Sequence, residues 1–246
     1  MLVTTEVIAL RSVRYSDVAS IVQVYSREYG TLSFKVSRSS FSRSRRSSGG
    51  GRATRYLLYP LSLLSVTFDY ALHRDIFVVR DASVLHLPSR PSSHPSANAL
   101  ALFTQELLSR LLRTDGGCDT PLFEYLKAEI VDLDELPIAQ LPSYHIRLLS
   151  GLLYYFGIFP QVEGYQLGYV LEQSEGTFRP PQTLQERADA TAYQLLFDFL
   201  RSPSPLELSM SREERNGLLR LLLDYLSYHF PEVGTLKSPQ ILSQLF

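Results

Sequence analysis

The spacing of apolar residues changes once along this chain, at a segment rich in proline and serine, residues 88–96. Before that segment, apolar and polar residues alternate at two-residue steps, which is typical of strands with one buried face. After it, apolar residues recur at three- and four-residue steps, which is typical of amphipathic helices. Because clusters of proline and serine favour connections, the sequence predicts two domains, residues 1–87 and residues 97–246, joined by this linker.

Five segments of the first domain have the strand pattern, and short turns separate most of them. These segments are residues 3–13, 18–28, 31–37, 56–70 and 75–87. In the first segment Ile8 and Leu10 are predicted to face the core, while Ala9 and Arg11 face away. Consecutive short strands favour a small antiparallel barrel. The five-stranded barrel that binds nucleic acid on its second and third strands is the OB-fold.

The second domain is predicted to be a set of helices with one interruption. The helical segments are about residues 97–113, 121–133, 143–156, 183–201, 211–229 and a short final one, 237–246. Residues 165–179 lack helical spacing and are predicted to form a small hairpin that turns near Gly176. The predicted fold class is therefore α+β. An N-terminal five-stranded antiparallel OB-fold barrel is followed by an α-helical domain with a small β-hairpin insertion.

Positive charge is concentrated in the first third of the chain. Residues 1–80 contain twelve Lys or Arg and five Asp or Glu, a net charge of +7, whereas residues 81–246 carry −8. Much of the excess lies in residues 35–55, which hold seven cations and no acidic residue. This segment is predicted to be a mobile basic loop that suits a polyanion, since arginines neutralise phosphates and release counterions. A solvated basic linker is the alternative.

The OB-fold arrangement would bring aromatic and cationic side chains onto one surface. Tyr25 and Lys35 would lie on the outer face of the second and third strands, with Tyr15 in the first loop. Aromatics beside cations suit single-stranded nucleic acid, because each base has a face for stacking and each linkage has a charge. The alternative is that Tyr25 only covers the barrel end and the cations are solvated. The candidate DNA-binding residues are Arg11, Arg14, Tyr25, Arg27, Lys35, Arg38, Arg43, Arg45, Arg46, Arg52, Arg55 and Arg74.

The motifs of common enzyme active sites are absent from this sequence, which has no Gly-x-Ser-x-Gly, no Gly-x-x-x-x-Gly-Lys and no His-Glu-x-x-His. Its histidines are scattered without a metal partner at short spacing, and its single cysteine, Cys118, excludes a multi-cysteine zinc site made by this chain alone. Asp132, Asp134 and Glu135 close a helix, where a solvated end is favoured over a metal site. The sequence therefore predicts no catalytic residue, no metal and no cofactor.

Two further features bear on location in the cell. No uncharged apolar run approaches the roughly 18 residues needed to span a membrane. The N-terminal segment carries Glu6 early and has the pattern of a strand rather than of a signal peptide. We expect a cytoplasmic protein without membrane partners.

Several short motifs follow one another in a particular order. A Tyr-x-Asp turn, Tyr15 to Asp17, precedes a strand that ends in Ser-x-x-x-Gly at residues 26–30. The basic segment, an apolar run at residues 60–64 and, in the helical part, Gly-Ile-Phe-Pro at residues 157–160 come after it. Their order resembles the RecO family of bacterial recombination mediators, and the resemblance covers nearly the whole chain.

This resemblance implies binding of single- and double-stranded DNA and annealing of complementary strands. It also implies two protein partners. The first is RecR, with which family members load recombinase onto DNA. The second is the single-strand-binding protein that coats this DNA, and its C-terminal tail is the part that is bound. A place at the nucleoid follows. The chain departs from the family in two ways: many relatives carry a four-cysteine zinc site that it cannot form, and Ser37-Arg38 stands where Lys-Gly is common.

Two functional hypotheses of different class result. The favoured one is a non-enzymatic DNA repair and recombination mediator, since annealing requires no covalent chemistry. The alternative is a protein-interaction scaffold with a basic docking domain and no annealing activity. An affinity for DNA that falls steeply with salt distinguishes the first from the second.

Overall fold

The computed structural model describes residues 1–37, 53–112 and 117–246. The described chain divides into two compact units, Met1–Glu135 and Leu136–Phe246. The first unit combines a β-barrel with two helices, and the second combines four helices with a small hairpin.

The barrel of the first unit is a closed ring of five strands in the order β1-β2-β3-β5-β4. The strands are β1 (Leu2–Arg14), β2 (Ala19–Ser26), β3 (Gly30–Ser37), β4 (Leu63–Asp69) and β5 (Phe77–His86). The predicted α+β class with an N-terminal five-stranded barrel is confirmed. One detail differs from the all-antiparallel expectation, since β3 and β5 are parallel. A closed ring with an odd number of strands cannot be antiparallel throughout, so one neighbouring pair must run in the same direction.

The barrel interior is filled by apolar side chains that alternate along its strands. Val22 and Val24 of β2 and Phe34 of β3 are fully buried in the core, together with Phe68 of β4 and Phe77 of β5. Aromatic rings meet edge to face at its centre, where the Phe34 and Phe68 centroids are 5.0 Å apart. Such contacts stabilise the core beyond the area they bury.

The fourth strand begins later than predicted, because the first residues of the 56–70 segment are helical. Thr54–Leu58 is a short 3-10 helix that buries Leu57. After Pro60 the chain turns sharply at Leu61, whose φ is +62° and whose N–H donates to the carbonyl of Ala9 over 2.7 Å. Proline has no N–H for a strand ladder, so pairing begins only beyond this turn.

Both faces of β1 are buried along its middle, which simple alternation did not anticipate. Ile8 and Leu10 are buried as predicted, but Ala9 is buried as well. Ile8 pairs with Tyr25, and Ala9 pairs with Val24 of the barrel core. Ile8 therefore lies on the outer side, which is buried because a helix packs on β1.

Two helices of the first unit complete this outer layer. They are α1 (Pro95–Leu111) and α2 (Thr120–Glu135). The side chain of Asp119 accepts the N–H of Leu122 over 2.9 Å and so caps the start of α2. Both helices were predicted, although the sequence assigned them to the helical domain rather than to the compact unit of the barrel. The separate folding of residues 1–87 and 97–246 stays a prediction.

The end of α2 holds the proline- and serine-rich segment. The carboxylate of Asp134 accepts the backbone N–H groups of Ser89 (2.9 Å) and Arg90 (2.9 Å). His86 Nε2 lies 3.4 Å from the same carboxylate. The acidic residues at this helix end were expected to be solvated, with metal binding as the alternative. Asp134 is instead a structural anchor for the segment.

Replacing Asp134 by Asn is expected to expose residues 88–96 to proteolysis. Hydrogen bonds to a charged group contribute about 1.5–3 kcal/mol each, so their weakening should raise the population of the opened segment by roughly tenfold or more. Digestion with a broad-specificity protease at low concentration tests this, because the variant should be cleaved faster within residues 88–96. The control is Glu135→Gln, which changes the exposed neighbouring carboxylate. Equal cleavage of both variants would contradict the anchoring role.

The second unit begins at Leu136 and is mainly helical. Its elements are α3 (Leu141–Tyr155), β6 (Val170–Glu172), β7 (Thr177–Arg179), α4 (Leu184–Arg201), α5 (Arg212–His229) and α6 (Ser238–Leu245). The predicted hairpin is confirmed, and its paired residues are fewer than the predicted 165–179. It turns through Gly176 at φ +65°, where an added Cβ would lie 2.8 Å from the Tyr225 hydroxyl. None of the helices in the described parts of the chain has the length and apolar character needed to cross a membrane.

An arginine joins the hairpin to the following helix. Arg179 Nε lies 2.5 Å from Glu172 across the hairpin, and its Nη2 lies 2.8 Å from Glu186 in the first turn of α4. Glu186 also completes a capping box with Thr183. The hydrogen bond from Arg179, with help from the backbone N–H of Gln182, lowers the pKa of Glu186 to about 2. The pKa of Glu172 is also lowered, chiefly by Arg179.

This clamp predicts acid lability of the second unit. Because the pKa of Glu186 is lower in the folded state, its contribution to stability is complete above its ordinary value of 4.5 and is lost as pH falls toward about 2. We therefore expect the stability difference between wild type and Arg179→Met to be largest above pH 5 and to shrink across this window. Urea unfolding at a series of pH values measures it. A difference that does not change with pH would contradict the clamp.

Candidate nucleic-acid interface

The outer face of β2 and β3 is divided into a covered half and an open half. In the covered half Tyr25 is only 2% exposed, and its ring packs on Phe123 of α2 with centroids 6.2 Å apart. Its hydroxyl lies 3.4 Å from the Asp119 carbonyl, and burial raises the pKa of Tyr25 to about 12. No base can stack on this ring in the described conformation. The predicted stacking role of Tyr25 is therefore wrong, and the ring acts as a packing residue.

The connection between α1 and α2 extends the cover along the strands. Thr31 Oγ1 and Gln23 Nε2 both donate to the carbonyl of Leu112, over 3.2 and 3.3 Å. The Thr120 hydroxyl donates to the carbonyl of Arg27 over 3.5 Å. Each bond ties the outer strand surface to the helical layer, so this half is closed to a polynucleotide.

Arg27 lies at the edge of the cover, and its charge is already compensated. Its Nε is 2.8 Å from Glu124 of α2, and its Nη1 is 3.9 Å from Glu28. A phosphate would have to compete with two carboxylates for this guanidinium. Arg27 was predicted to contact DNA, but it lies in the turn after β2 and its guanidinium is already paired with carboxylates.

The open half is centred on Lys35, the only charged residue of β3. Its side chain is exposed, and its Nζ lies 5.4 Å from the ring centroid of Tyr15. Tyr15 is 63% exposed in the turn between β1 and β2, so its ring is open to solvent. Lys35 is opposite Ile21, which in turn is opposite Val13. An exposed aromatic ring and a cation thus lie side by side as predicted, but the ring is that of Tyr15 and not that of Tyr25.

Arg11 lies on the same outward surface. It is exposed on β1 opposite Gln23, which pairs with Ser33 of β3. Strands are about 4.8 Å apart and Lys35 lies two residues beyond Ser33, so Arg11 and Lys35 are roughly 12 Å apart on the sheet. Neither has a carboxylate partner among the described residues. These two cations remain available to phosphates, whereas Arg14 is paired with Asp17.

Full-length comparison identifies the relatives of this chain. It is 31% identical to the DNA repair protein RecO of Porphyromonas gingivalis over 251 residues, which span all of both chains. The RecO of Phocaeicola vulgatus is also 31% identical over 251 residues and that of Bacteroides fragilis 28% over 250, again over all of both chains. The chain belongs to the RecO family. No protein-family model matches it, so the assignment rests on these relatives.

The other predicted contacts of this RecO-family chain are dispersed. Arg74 is exposed in the turn between β4 and β5. Arg55 is partly buried, and its guanidinium donates to the Tyr56 hydroxyl over 2.7 Å. The remaining candidates in the basic segment lie outside the described residues, so their role stays a prediction. They are Arg38, Arg43, Arg45, Arg46 and Arg52.

One cation of the open surface was missed by the sequence analysis. Arg80 is exposed on β5 and lies 2.8 Å from Asp69 of β4. It follows Val78 by two residues, and Val78 pairs with Lys35 across the parallel strands. The net charge of residues 1–80 included Arg80, but only strand pairing reveals its neighbourhood. That pairing joins residues more than forty positions apart, and no short motif encodes it.

The described residues offer little for metal or acid–base chemistry. No three His, Cys, Asp or Glu side chains in the described ranges form a group that could hold a metal ion. Burial, assisted by Arg215, lowers the pKa of His145 to about 3, so that this imidazole is neutral at physiological pH. Its ring stacks on Phe246 with centroids 6.0 Å apart. His145 is therefore a packing residue of the second unit.

Proposed function

We propose that this RecO-family chain is a DNA repair protein that binds single- and double-stranded DNA and anneals complementary strands. The observation that carries the proposal is the open barrel surface, where Arg11 and Lys35 lack carboxylate partners among the described residues and Tyr15 is exposed beside Lys35. Family membership supports the same role, since the relatives are named DNA repair proteins.

Annealing follows from charge neutralisation without covalent chemistry. Two strands approach slowly because their phosphates repel, and a protein that neutralises both lowers this repulsion and raises their local concentration. Stacking of a base on Tyr15 holds a strand in place without reading its sequence. The chain acts here as a mediator and not as an enzyme, with no metal or nucleotide cofactor.

The proposed role includes two protein partners. With RecR, the chain helps to load recombinase onto DNA that single-strand-binding protein has coated, and it engages the C-terminal tail of that protein. These events occur on DNA in the bacterial cytoplasm, at the nucleoid. Membership of the RecO family supports this part of the proposal.

The deciding experiment measures DNA binding and annealing by the purified full chain with chelator present and no nucleotide added. We expect binding of both forms of DNA, with an affinity that falls steeply with salt. Complementary strands should anneal faster with the protein than without it, and coating by single-strand-binding protein should not abolish the effect. A requirement for ATP or a divalent ion would contradict the proposal. Weak binding of DNA that does not depend on salt, without annealing, would favour the alternative of a protein-interaction scaffold.

A further inference from the structure

A groove opens in the barrel wall where β3 and β5 separate. These parallel strands share only two residue pairs, Phe34 with Phe77 and Lys35 with Val78. Beyond the second pair the strands diverge and leave a groove of about 420 Å³. This volume lies within the range of small-molecule sites, roughly 300–1,000 Å³.

The walls of the groove are apolar although they face solvent. Ala19 and Val36 form a buried floor, while Val18 and Val78 are 62% and 56% exposed at its sides. Exposed valines at the sides of a cleft bury apolar area when an apolar group enters between them, and a narrow cleft suits a flat group. The groove is thus built for an occupant with an apolar face.

Cations lie at the rim of the same groove. Lys35 and Arg80 line it, and none of the described lining residues is acidic. Because Lys35 is opposite Val78, Arg80 lies two residues further along β5, roughly 7 Å away along the strand. Lys35 has no carboxylate partner among the described residues, whereas Nε and Nη2 of Arg80 both lie 2.8 Å from Asp69. Lys35 is therefore the rim cation that is open to a phosphate. The occupant that matches is apolar in the middle and anionic on its edges.

We infer that this groove receives one unstacked base of a single DNA strand, with Lys35 on a flanking phosphate. The inference rests on the proposed function and adds a base subsite to it. A nucleobase has a flat apolar face, which matches the apolar walls of the groove. Its sugar is linked to two phosphates, which matches the positive charge at the rim. A base inside a duplex is stacked and paired on both sides and cannot enter. The groove therefore favours single strands over duplex, independently of sequence.

The test removes the apolar walls without changing charge. Val18→Ser combined with Val78→Ser is compared with Val84→Ser, which alters another exposed valine of β5 that does not line the groove. Three probes of equal length are used: an oligothymidylate, the same phosphodiester backbone without bases, and a duplex. Circular dichroism and thermal unfolding check that each variant is folded, and Val78→Ser alone serves if the double variant is not.

The wild type should bind the oligothymidylate more tightly than the abasic strand. The double variant should lose about tenfold in affinity for the oligothymidylate, in line with the removal of one stacking contact, and the single variant a smaller part of this. Affinities for the abasic strand and the duplex, and the salt slope, should change less than about twofold. Val84→Ser should resemble wild type.

Two results would overturn the base subsite while leaving the proposed function intact. One is a double variant that keeps the full wild-type preference for base-containing over abasic strands. The other is a double variant that weakens on all three probes alike. A wild type that binds no DNA at all would overturn the proposed function and the subsite together.

Discussion

Replacing Arg11 and Lys35 together by glutamine is expected to lower the affinity for single-stranded DNA by about 100-fold at low salt. Hydrogen bonds to charged groups contribute at least about 1.5 kcal/mol each, and two such losses amount to about two decades in the dissociation constant. The slope of log affinity against log salt should become shallower by about 1.4, since each phosphate contact on a single strand contributes about 0.7. Fluorescence anisotropy across a salt series measures both quantities.

The control is Arg27→Gln, which changes a paired cation in the turn that follows β2. Because Arg27 is already paired with Glu124, its replacement should cost less than about tenfold in affinity and leave the salt slope nearly unchanged. If the double variant keeps the wild-type slope, phosphates do not cross this part of the barrel. DNA binding would then depend on residues outside Arg11 and Lys35, and the open surface would lose its proposed role.

Replacing Tyr25 by alanine is expected to destabilise the first unit by about 3–5 kcal/mol, the usual cost of truncating a large buried aromatic. The ring fills the space between β2 and α2, and its loss leaves a cavity beside Phe123. Urea unfolding followed by circular dichroism measures the change. At temperatures where the variant is still folded, its affinity for single-stranded DNA should be near that of wild type.

Two companions separate packing from binding. Tyr25→Phe removes only a long hydrogen bond of 3.4 Å to Asp119 and should cost less than about 1.5 kcal/mol. Tyr15→Ala changes an exposed ring, so it should leave stability unchanged while lowering single-strand affinity by about fivefold or more without altering the salt slope. A stable Tyr25→Ala protein with weakened DNA binding would show that α2 moves away and that the ring does meet DNA.

The exchange of roles between Tyr15 and Tyr25 shows how far periodicity carries a prediction. Two-residue alternation along the second and third strands places Val22, Val24 and Phe34 in the barrel interior, where the structure has them. Alternation also correctly directed Tyr25 outward, but it does not say what lies outside. The cover is α2, nearly a hundred residues away along the chain, and its packing is decided by tertiary contacts.

Other differences have equally local physical causes. The closed ring of five strands requires one parallel pair. The alternation of apolar and polar residues is the same in parallel and antiparallel strands, so it does not reveal which pair is parallel. Arg80 was missed for this reason, since its neighbours become apparent only when β5 is placed beside β3. The starts of α4 and α5 were predicted more closely, at about residues 183 and 211. There the capping boxes of Thr183 with Glu186 and Ser211 with Glu214 each span only four residues, so the local sequence is enough to mark these helix starts.

The bonds from Asp134 to Ser89 and Arg90 have a mechanical consequence. A flexible linker of nine residues would have a root-mean-square end-to-end distance of about 15–18 Å, and it would leave the barrel free to move relative to α1. Because the first of these residues are hydrogen-bonded to the end of α2, the segment is not a free tether and its range of movement is reduced. A DNA strand bound at Arg11 and Lys35 as proposed would therefore pull on a barrel that is fastened to α2 through this segment.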